Sequence, residues 1–324
     1  MKQLIIYHKE DNDGVFSAAL MARYITKDLH ESLDNIRFFG ADYNELNNIT
    51  KENIDSWKET YDFVAILDIS FNNVKLMKYL YKLFGNRFIW CDHHKPIIME
   101  SYKLKFSKSE GIRDTAKSTI LCVYQYLWDQ FNLKYDNHEV PELLRILSGW
   151  DSWSFDKEGF TEEYCQKINT AITHSLNLDI HKTIEFVNLL FDNENTINLT
   201  DLYNEGSKLL DYDLQKADNI ISFYGDLTWT VGEDNNSACA LFTQGPSNSI
   251  MFRSLKDYNI KNGIIFKRNN NSTWTISLYN INDEDDFDCG KYLKDTYKGG
   301  GHKGAAGCTV KESKFIKILK TKHL

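Results

Sequence analysis

The sequence lacks several features that mark specialised classes of protein. No apolar run in its 324 residues approaches the roughly 20 that a membrane-spanning helix needs. The N-terminal stretch reaches acidic residues after only four apolar ones, so we expect no signal peptide. The six cysteines never form a C-x-x-C pair, which disfavours a thiolate zinc site. These absences predict a soluble cytoplasmic protein with reduced thiols and no membrane partner.

Positive charge is also scarce. The net charge of −8 argues against a protein that coats long nucleic acid with a broad basic face. The charge is uneven, because residues 225–324 carry a net +3 and the rest of the chain carries −11. An acidic N-terminal part and a basic C-terminal part suit a site in which one part holds divalent cations and the other binds an anionic substrate.

The hydrophobic pattern changes along the chain. Four short apolar segments predict strands, and two segments between them have helical periodicity: strands at residues 4–7, 36–39, 63–67 and 88–91, helices at 17–29 and 74–84. Strands that alternate with helices indicate βαβ units and a parallel sheet. At 100–200 residues per domain, the length suggests two domains, with the boundary in or beside the helical stretch at 195–224.

The remainder of the chain is first helical and then mixed. Residues 115–221 read as a series of helices, and the C-terminal part has strand patterns at 227–231, 263–267 and 274–279 before a closing helix at 314–320. We therefore predict an α/β protein with a parallel-sheet N-terminal domain, a helical linker region and a smaller α/β C-terminal domain.

Side chains that can bind metal follow the predicted strands of the first half. Ligands of open parallel sheets bind outside the carboxyl ends of the strands. The candidates are His8, with Asp11 and Asp13 in the loop behind it, Asp68 after residues 63–67, the triplet Asp92, His93 and His94 after residues 88–91, and Asp151 after a later helix. Several carboxylates at one sheet edge repel each other unless cations compensate them, so the pattern predicts a metal site.

These residues resemble the four motifs of the DHH phosphoesterase family. The motifs are the D-x-D-G of residues 11–14, the lone Asp68, the triplet at 92–94 and Asp151. The segment GGGHKGAAG at residues 299–307 resembles the signature of the family's associated C-terminal domain. The resemblance implies a metal-binding DHH phosphoesterase domain at 1–195, a helical linker at 196–224 and a substrate-binding DHH-associated domain at 225–324.

The resemblance also implies a two-metal centre. It assigns one ion to His8 and Asp11 and the other to Asp13, His93 and Asp151, with Asp68 bridging both. It makes Asp92 a ligand or the partner of a ligand, and it places His94 opposite the substrate phosphate. Asp68, Asp92 and His94 are the candidate catalytic residues. A shell of imidazole and carboxylate groups without thiolate suits Mn²⁺, with Mg²⁺ as the alternative. Two such ions can clamp an in-line phosphoryl displacement, so no serine or cysteine nucleophile is required.

The glycine-rich segment is the candidate substrate-binding region. Glycines let the backbone approach a ligand closely and expose amide groups to an anion. The candidates are Gly299, Gly300, Gly301, His302 and Lys303, with Arg253 as a second phosphate anchor. The alternatives are a flexible turn before a strand for the glycines and an ordinary surface position for Arg253.

Three aromatic residues add to the expected site. Tyr279 stands where many relatives have an arginine that contacts substrate, and its ring could stack on a base instead. Trp150 and Trp153 flank Asp151 and either stack on a base or belong to the core.

The implied function is a metal-dependent phosphodiesterase that hydrolyses short oligonucleotides or small nucleotides. Two alternatives of the same class are a cyclic dinucleotide phosphodiesterase and a phosphatase for 3′-phosphorylated nucleotides. An alternative of a different class is a non-catalytic nucleotide or metal sensor. A processive exonuclease is disfavoured by the short, acidic chain, and the family's pyrophosphatase branch by the GGGH signature. A homodimer is left open.

Overall fold

The computed structural model describes residues 1–103, 109–131, 140–192, 197–244, 249–269, 272–281, 287–301 and 303–324. The chain divides into two units, Met1–Leu209 and Leu210–Leu324. Helix α11, Leu199–Tyr224, runs across this division. The three functional segments expected from the resemblance, with boundaries at 195 and 224, stay a prediction.

The first unit is built on a four-stranded parallel sheet in the order β2-β1-β3-β4. Its strands are β1 Gln3–His8, β2 Ile36–Ala41, β3 Phe63–Leu67 and β4 Phe88–Cys91. The four predicted strands and their parallel pairing are therefore confirmed, and so is the α/β fold class.

Helices cover both faces of this sheet. They are α1 Asn12–Arg23, α2 Tyr43–Leu46, α3 Lys51–Thr60, α4 Val74–Phe84, α5 Lys95–Lys103, α6 Thr119–Phe131, α7 Glu142–Asp151, α8 Phe155–Glu158, α9 Glu162–Leu176 and α10 Ile180–Asp192. Alternate side chains of β1, such as Ile5 and Ile6, enter different cores. Helices α1, α6, α7, α9 and α10 pack on one face, and α2 to α5 pack on the other. This double coverage explains why β3 and β4 are apolar at every position.

Two helix boundaries differ from the sequence prediction, and both matter for the site. Helix α1 begins at Asn12, not near residue 17, because the carboxylate of Asp11 caps it by accepting from the Gly14 amide at 3.0 Å. Asp13 therefore lies in the first helical turn, where the helix dipole favours a negative charge, and not in a loop. Asp151 is the last residue of α7 and does not follow that helix.

The second unit contains a six-stranded mixed sheet in the order β5-β6-β7-β8-β10-β9. Its strands are β5 Asp226–Val231, β6 Asn236–Phe242, β7 Asn262–Arg268, β8 Thr273–Asn280, β9 Gly300–Gly301 and β10 Ala305–Lys311, and its helices are α12 Cys289–Tyr297 and α13 Glu312–Thr321. The three predicted strands and the closing helix are confirmed. Strands β6, β9 and β10 and helix α12 were not among the predicted elements.

The second unit also has a core on each side of its sheet. Phe266 and Phe315 belong to the core that α12 and α13 cover. Phe252, on the 3₁₀-helix Ser249–Tyr258, belongs to the other. All six cysteines are buried and free. No helix in the described part of the chain combines the length and apolar character that crossing a bilayer demands.

Candidate metal centre

The register of the parallel sheet brings the predicted ligands to one edge. Tyr7 pairs with Leu67, and Leu67 pairs with Cys91, at the carboxyl ends of β1, β3 and β4. The residue after each of these is a site candidate, because His8 ends β1 and Asp68 and Asp92 directly follow β3 and β4. Asp68 takes a left-handed backbone conformation (φ +59°), which turns the chain sharply as β3 ends.

Glycine is required where α1 meets the first strand. A Cβ at Gly14 would lie 2.1 Å from the carbonyl oxygen of His8, so a larger residue would push the helix away. This close approach places Asp11 and Asp13 beside the end of β1. The glycine of the D-x-D-G motif thus has a packing reason that does not depend on any ligand.

One group of ligand atoms gathers around His8. Its Nδ1 lies 2.7 Å from an oxygen of Asp11 and 3.7 Å from Oδ2 of Asp68. The ligand atoms of these three residues lie within 4.8 Å of one another, close enough to hold a single ion.

A second group gathers around His93. Its Nε2 lies 3.4 Å from Oδ1 of Asp68, 3.5 Å from Oδ2 of Asp151 and 3.9 Å from Oδ2 of Asp13. Asp13, His93 and Asp151 form a group within 4.8 Å, as do Asp68, His93 and His94. The structure therefore brings together all six predicted metal ligands, with one oxygen of Asp68 facing each histidine.

The buried carboxylates of this centre repel each other. Burial raises the pKa of Asp13, and the charges of Asp68 and Asp151 raise it further. Burial raises the pKa of Asp151 to about 7, where His93 opposes the shift and Asp68 and Asp11 add to it. These raised pKa values mean that ionising both acids together is unfavourable unless positive charge is placed among them.

The histidines partly supply that charge. Burial alone lowers the pKa of His8, but the carboxylates of Asp11 and Asp68 outweigh it and raise the pKa to about 11. His93 behaves alike, since its contact with Asp68 outweighs burial and raises its pKa to about 10. Burial raises the pKa of Asp68, but its contacts with His8 and His93 outweigh burial and keep that pKa well below its ordinary value.

The donor set fits a divalent cation. Oδ2 of Asp151 is buried and has no hydrogen-bond donor among the described residues, although it lies in the cluster 3.5 Å from His93 Nε2. A buried carboxylate oxygen without a donor is costly, and a bound cation would compensate it. Imidazole and carboxylate ligands without thiolate suit Mn²⁺ or Mg²⁺. The six residues therefore fit the ions that the sequence resemblance implied.

The start of α6 contributes contacts that sequence reasoning missed. The amides of Thr119 and Ile120 donate to the two oxygens of Asp13 at 2.8 and 2.7 Å. The Thr119 hydroxyl donates to Oδ1 of Asp68 at 2.9 Å. One helix end thus holds two of the candidate ligands. The available signal was the K-S-T before an apolar helical run, which is typical of a helix N-terminus.

Asp92 lies outside the three ligand groups and holds His94 instead. Its carboxylate is fully buried and accepts from the His94 amide at 3.0 Å, from Trp90 Nε1 at 3.2 Å and from the Ser70 hydroxyl. It also lies 2.8 Å from Nδ1 of His94, whose side chain is one-third exposed. Of the two roles that the sequence left open for Asp92, these contacts correspond to the partner role.

Tyr43, another residue that sequence reasoning missed, packs against two site histidines. Its ring centroid lies 5.7 Å from that of His8 and 6.0 Å from that of His94. Burial raises the pKa of its hydroxyl, and the carboxylates of Asp92 and Asp68 add to this effect. Tyr43 therefore presents a neutral ring to the centre.

Part of the glycine-rich segment of the second unit is used in backbone hydrogen bonds. The Gly299 amide donates to the carbonyl of Leu293 at 3.0 Å and closes the end of α12, so it is not an exposed anion donor as expected. Gly300 and Gly301 form β9 and pair with the start of β10. Lys303 is exposed. His302 lies outside the described residues.

Arg253 and Tyr279, the two other predicted substrate contacts, are not equally accessible. Arg253 lies on the 3₁₀-helix Ser249–Tyr258 and is half-buried. Tyr279 is only 8% exposed, and its ring packs 6.0 Å from that of Phe252. The idea that Tyr279 stacks on a base is therefore wrong, because its position in β8 points the ring into a core.

Residues 2–148 match the family model described as the DHH family, N-terminal domain. The N-terminal part of this chain is similar to the DHH family. The match includes β1 to β4 and every candidate ligand except Asp151, which lies three residues beyond it. No curated protein matches the chain.

Several solved structures resemble the whole chain at low identity. An exopolyphosphatase-related protein from Bacteroides fragilis aligns with a TM-score of 0.50 and 16% identity over 99% of this chain and 91% of its own. RecJ with Mn²⁺ from Thermus thermophilus aligns with a TM-score of 0.51 and 15% identity over 99% of this chain and 51% of its own. A pGpG-specific phosphodiesterase from Vibrio cholerae aligns with a TM-score of 0.46 and 14% identity over 99% of this chain and 97% of its own. The first two likenesses show that this chain shares the fold of those two proteins.

Proposed function

We propose that this protein is a metal-dependent phosphodiesterase that hydrolyses phosphoester bonds of short oligonucleotides or small nucleotides. The observation that carries the proposal is the position of Asp68, whose two oxygens face two separate histidine and aspartate groups. A shared carboxylate between two cation sites is what a two-metal phosphoryl transfer centre needs. The family of the N-terminal domain supports the same reaction class.

The six clustered side chains would hold two ions. His8, Asp11 and Asp68 form one group, and Asp13, His93 and Asp151 form the other, with Oδ1 of Asp68 3.4 Å from His93 Nε2. When bound, such ions supply Lewis-acid stabilisation of the charge that develops on the phosphoryl oxygens. The chain itself orients the ligands, because Thr119 fixes Asp68 and the start of α6 fixes Asp13.

His94 is the residue that we expect to bind the substrate phosphate. Nδ1 of its ring is engaged by Asp92, which leaves Nε2 as the atom for an incoming oxygen. Burial lowers the pKa of His94, but the charge of Asp92 outweighs burial and raises it. A protonated ring donates a hydrogen bond to a phosphoryl oxygen and stabilises its negative charge.

The second unit would supply further phosphate contacts. Residues 291–324 contain nine lysines and two acidic residues, and the exposed Lys303 lies between β9 and β10. We propose that Gly300, Gly301, His302, Lys303 and Arg253 bind the non-reacting part of the substrate. A cytoplasmic location and a homodimer stay predictions.

A product time course with Mn²⁺ tests this function. The panel contains dinucleotides, cyclic dinucleotides, adenosine 3′,5′-bisphosphate and single strands of increasing length. We expect the highest rate on dinucleotides and a decline toward strands of about ten nucleotides, an estimate from typical pocket dimensions. Preference for a cyclic dinucleotide or for the bisphosphate would select the corresponding alternative. Binding without turnover on the whole panel would favour a sensor and contradict the proposal.

The control for this experiment is a matched pair of variants. Asp68→Asn removes the shared carboxylate, whereas Asp201→Asn makes the same change at an exposed position of α11. Turnover that is lost only in Asp68→Asn excludes a contaminating hydrolase as its source.

A further inference from the structure

Helix α7 ends immediately after Asp151 in a turn that normally contains glycine. The Ser154 amide donates back to the carbonyl of Gly149 at 3.0 Å, a bond that closes many helix C-termini. The residue enclosed by this turn is Trp153, with φ of +52°. A bulky side chain is disfavoured in this left-handed conformation, and glycine is the residue usually found there. The fold therefore tolerates an unfavourable residue at this point.

Burial does not explain the tryptophan. Trp153 is 56% exposed, whereas every other tryptophan of the described residues is buried or half-buried. Most of its apolar surface thus remains in water and contributes little to folding. Backbone strain combined with an exposed aromatic ring is a pattern that points to function, because neither feature favours the folded state.

The ring is nevertheless supported on one side. Its centroid lies 5.9 Å from that of Trp150, with the planes 26° apart, and 6.2 Å from that of Phe155. Trp150 in turn packs against the core of the first unit. The turn itself is held by a 2.7 Å hydrogen bond between the hydroxyls of Ser152 and Ser154. Trp153 is therefore a supported ring with a large solvent-facing surface.

Its place in the chain connects this ring with the metal centre. Trp153 is two residues from Asp151, whose Oδ2 lies 3.5 Å from His93 Nε2. A nucleotide whose phosphate binds there must place its base nearby. We propose that Trp153 stacks on the nucleobase adjacent to the phosphate that is hydrolysed, with Trp150 as its support. This role rests on the proposed function and names a specificity contact within that site.

Stacking has a defined consequence for selectivity. Every base presents an aromatic face, so a stacking residue favours nucleotides over other phosphodiesters without choosing strongly among the four bases. We therefore expect Trp153 to select for the presence of a base and not for its identity.

The test compares Trp153→Gly and Trp153→Phe with the unchanged protein. Binding is measured with a fluorescently labelled dinucleotide that carries a non-hydrolysable linkage, and with the matching abasic analogue. Trp153→Gly should weaken dinucleotide binding about tenfold, while the loss on the abasic analogue is several-fold smaller. Trp153→Phe should recover most of the affinity. The Tm of Trp153→Gly should stay equal or rise by about 2–4 °C, since glycine relieves the strained turn.

Asn177→Gly is the matched control. Asn177 also has φ of +52° at the C-terminal end of a helix, α9, so this substitution makes the same backbone change elsewhere. Its dinucleotide affinity should equal that of the unchanged protein. Equal losses on both ligands in Trp153→Gly, or no loss on either, would overturn the stacking role.

Binding and turnover separate this inference from the function on which it rests. If Trp153 is needed to bind the dinucleotide but no nucleotide is hydrolysed with Mn²⁺, the stacking role stands and the proposed function is wrong. If the dinucleotide is hydrolysed with the same KM by the unchanged protein and by Trp153→Gly, the function stands and the stacking role is wrong.

Discussion

The hydroxyl of Thr119 donates to Oδ1 of Asp68 at 2.9 Å, across 51 residues of sequence. Asp68 contacts His8 in one ligand group and His93 in the other. Among the candidate ligands of the described residues, it alone joins the two groups in this way. A hydrogen bond to one of its oxygens therefore sets the orientation of the carboxylate toward both groups.

Asp68→Asn should lower kcat at least about a hundredfold, the size typical of removing one group that stabilises transition-state charge. The amide is nearly isosteric, so the far-ultraviolet circular dichroism should be unchanged. Metal content measured on the purified variant should fall together with kcat. A variant that retains most of its turnover would contradict the shared position of Asp68.

Thr119→Val should weaken Mn²⁺ binding about 10- to 100-fold, because groups that orient ligands commonly have effects of this size. It should also lower the free energy of unfolding by about 1 kcal/mol through the lost hydrogen bond. Thr119→Ser keeps a hydroxyl and should restore metal affinity. Isothermal titration with Mn²⁺ measures both variants, and equal affinities for Val and Ser would show that the hydroxyl does not act on the site.

Metal should stabilise the fold. Because Asp13 and Asp151 are buried near other carboxylates, a cation that binds the folded state relieves their repulsion. At a concentration 100 times its Kd, Mn²⁺ should add about 2.7 kcal/mol to the free energy of unfolding. A thermal melt with Mn²⁺ should show a higher Tm, which EDTA reverses and Asp68→Asn diminishes. An unchanged Tm would argue that no ion binds this cluster.

Acid should weaken the second unit through Asp226. Burial raises the pKa of this carboxyl, but hydrogen bonds from Thr228 and Lys322 outweigh burial and lower it to about 2. Its stabilisation is complete above the ordinary value of 3.8 and is lost as the pH falls through about 2. Discounted for the partial exposure of the carboxylate, we expect about 1 kcal/mol.

Asp226→Asn measures this effect. Urea unfolding at pH 7 should show the variant about 1 kcal/mol less stable than the unchanged protein. The difference should narrow as the pH is lowered toward 3 and below. A difference that does not change with pH would mean that lost packing, and not charge, is responsible.

Local pattern was sufficient for the scaffold of the first unit. Strands at 63–67 and 88–91 and the helix at 74–84 were predicted with the bounds that the structure has, because each is a run of one periodicity between polar or turn-forming residues. Parallel pairing then brought the residues after the strands to one edge, so the clustering of the candidate ligands also followed from sequence. Its ligands are marked by short motifs that depend little on distant contacts.

Tertiary structure decided the residues whose role depends on distant neighbours. Thr119 reaches Asp13 and Asp68 only because α6 packs beside α1, which no local pattern encodes. The Gly299 amide, expected to be free, is bonded to the end of α12. The Tyr279 ring, expected to be exposed, packs in a core that includes Phe252. Whether an aromatic ring is exposed, as for Trp153, or buried, as for Tyr279, depends on what packs over it, and that is set by elements far away in the sequence.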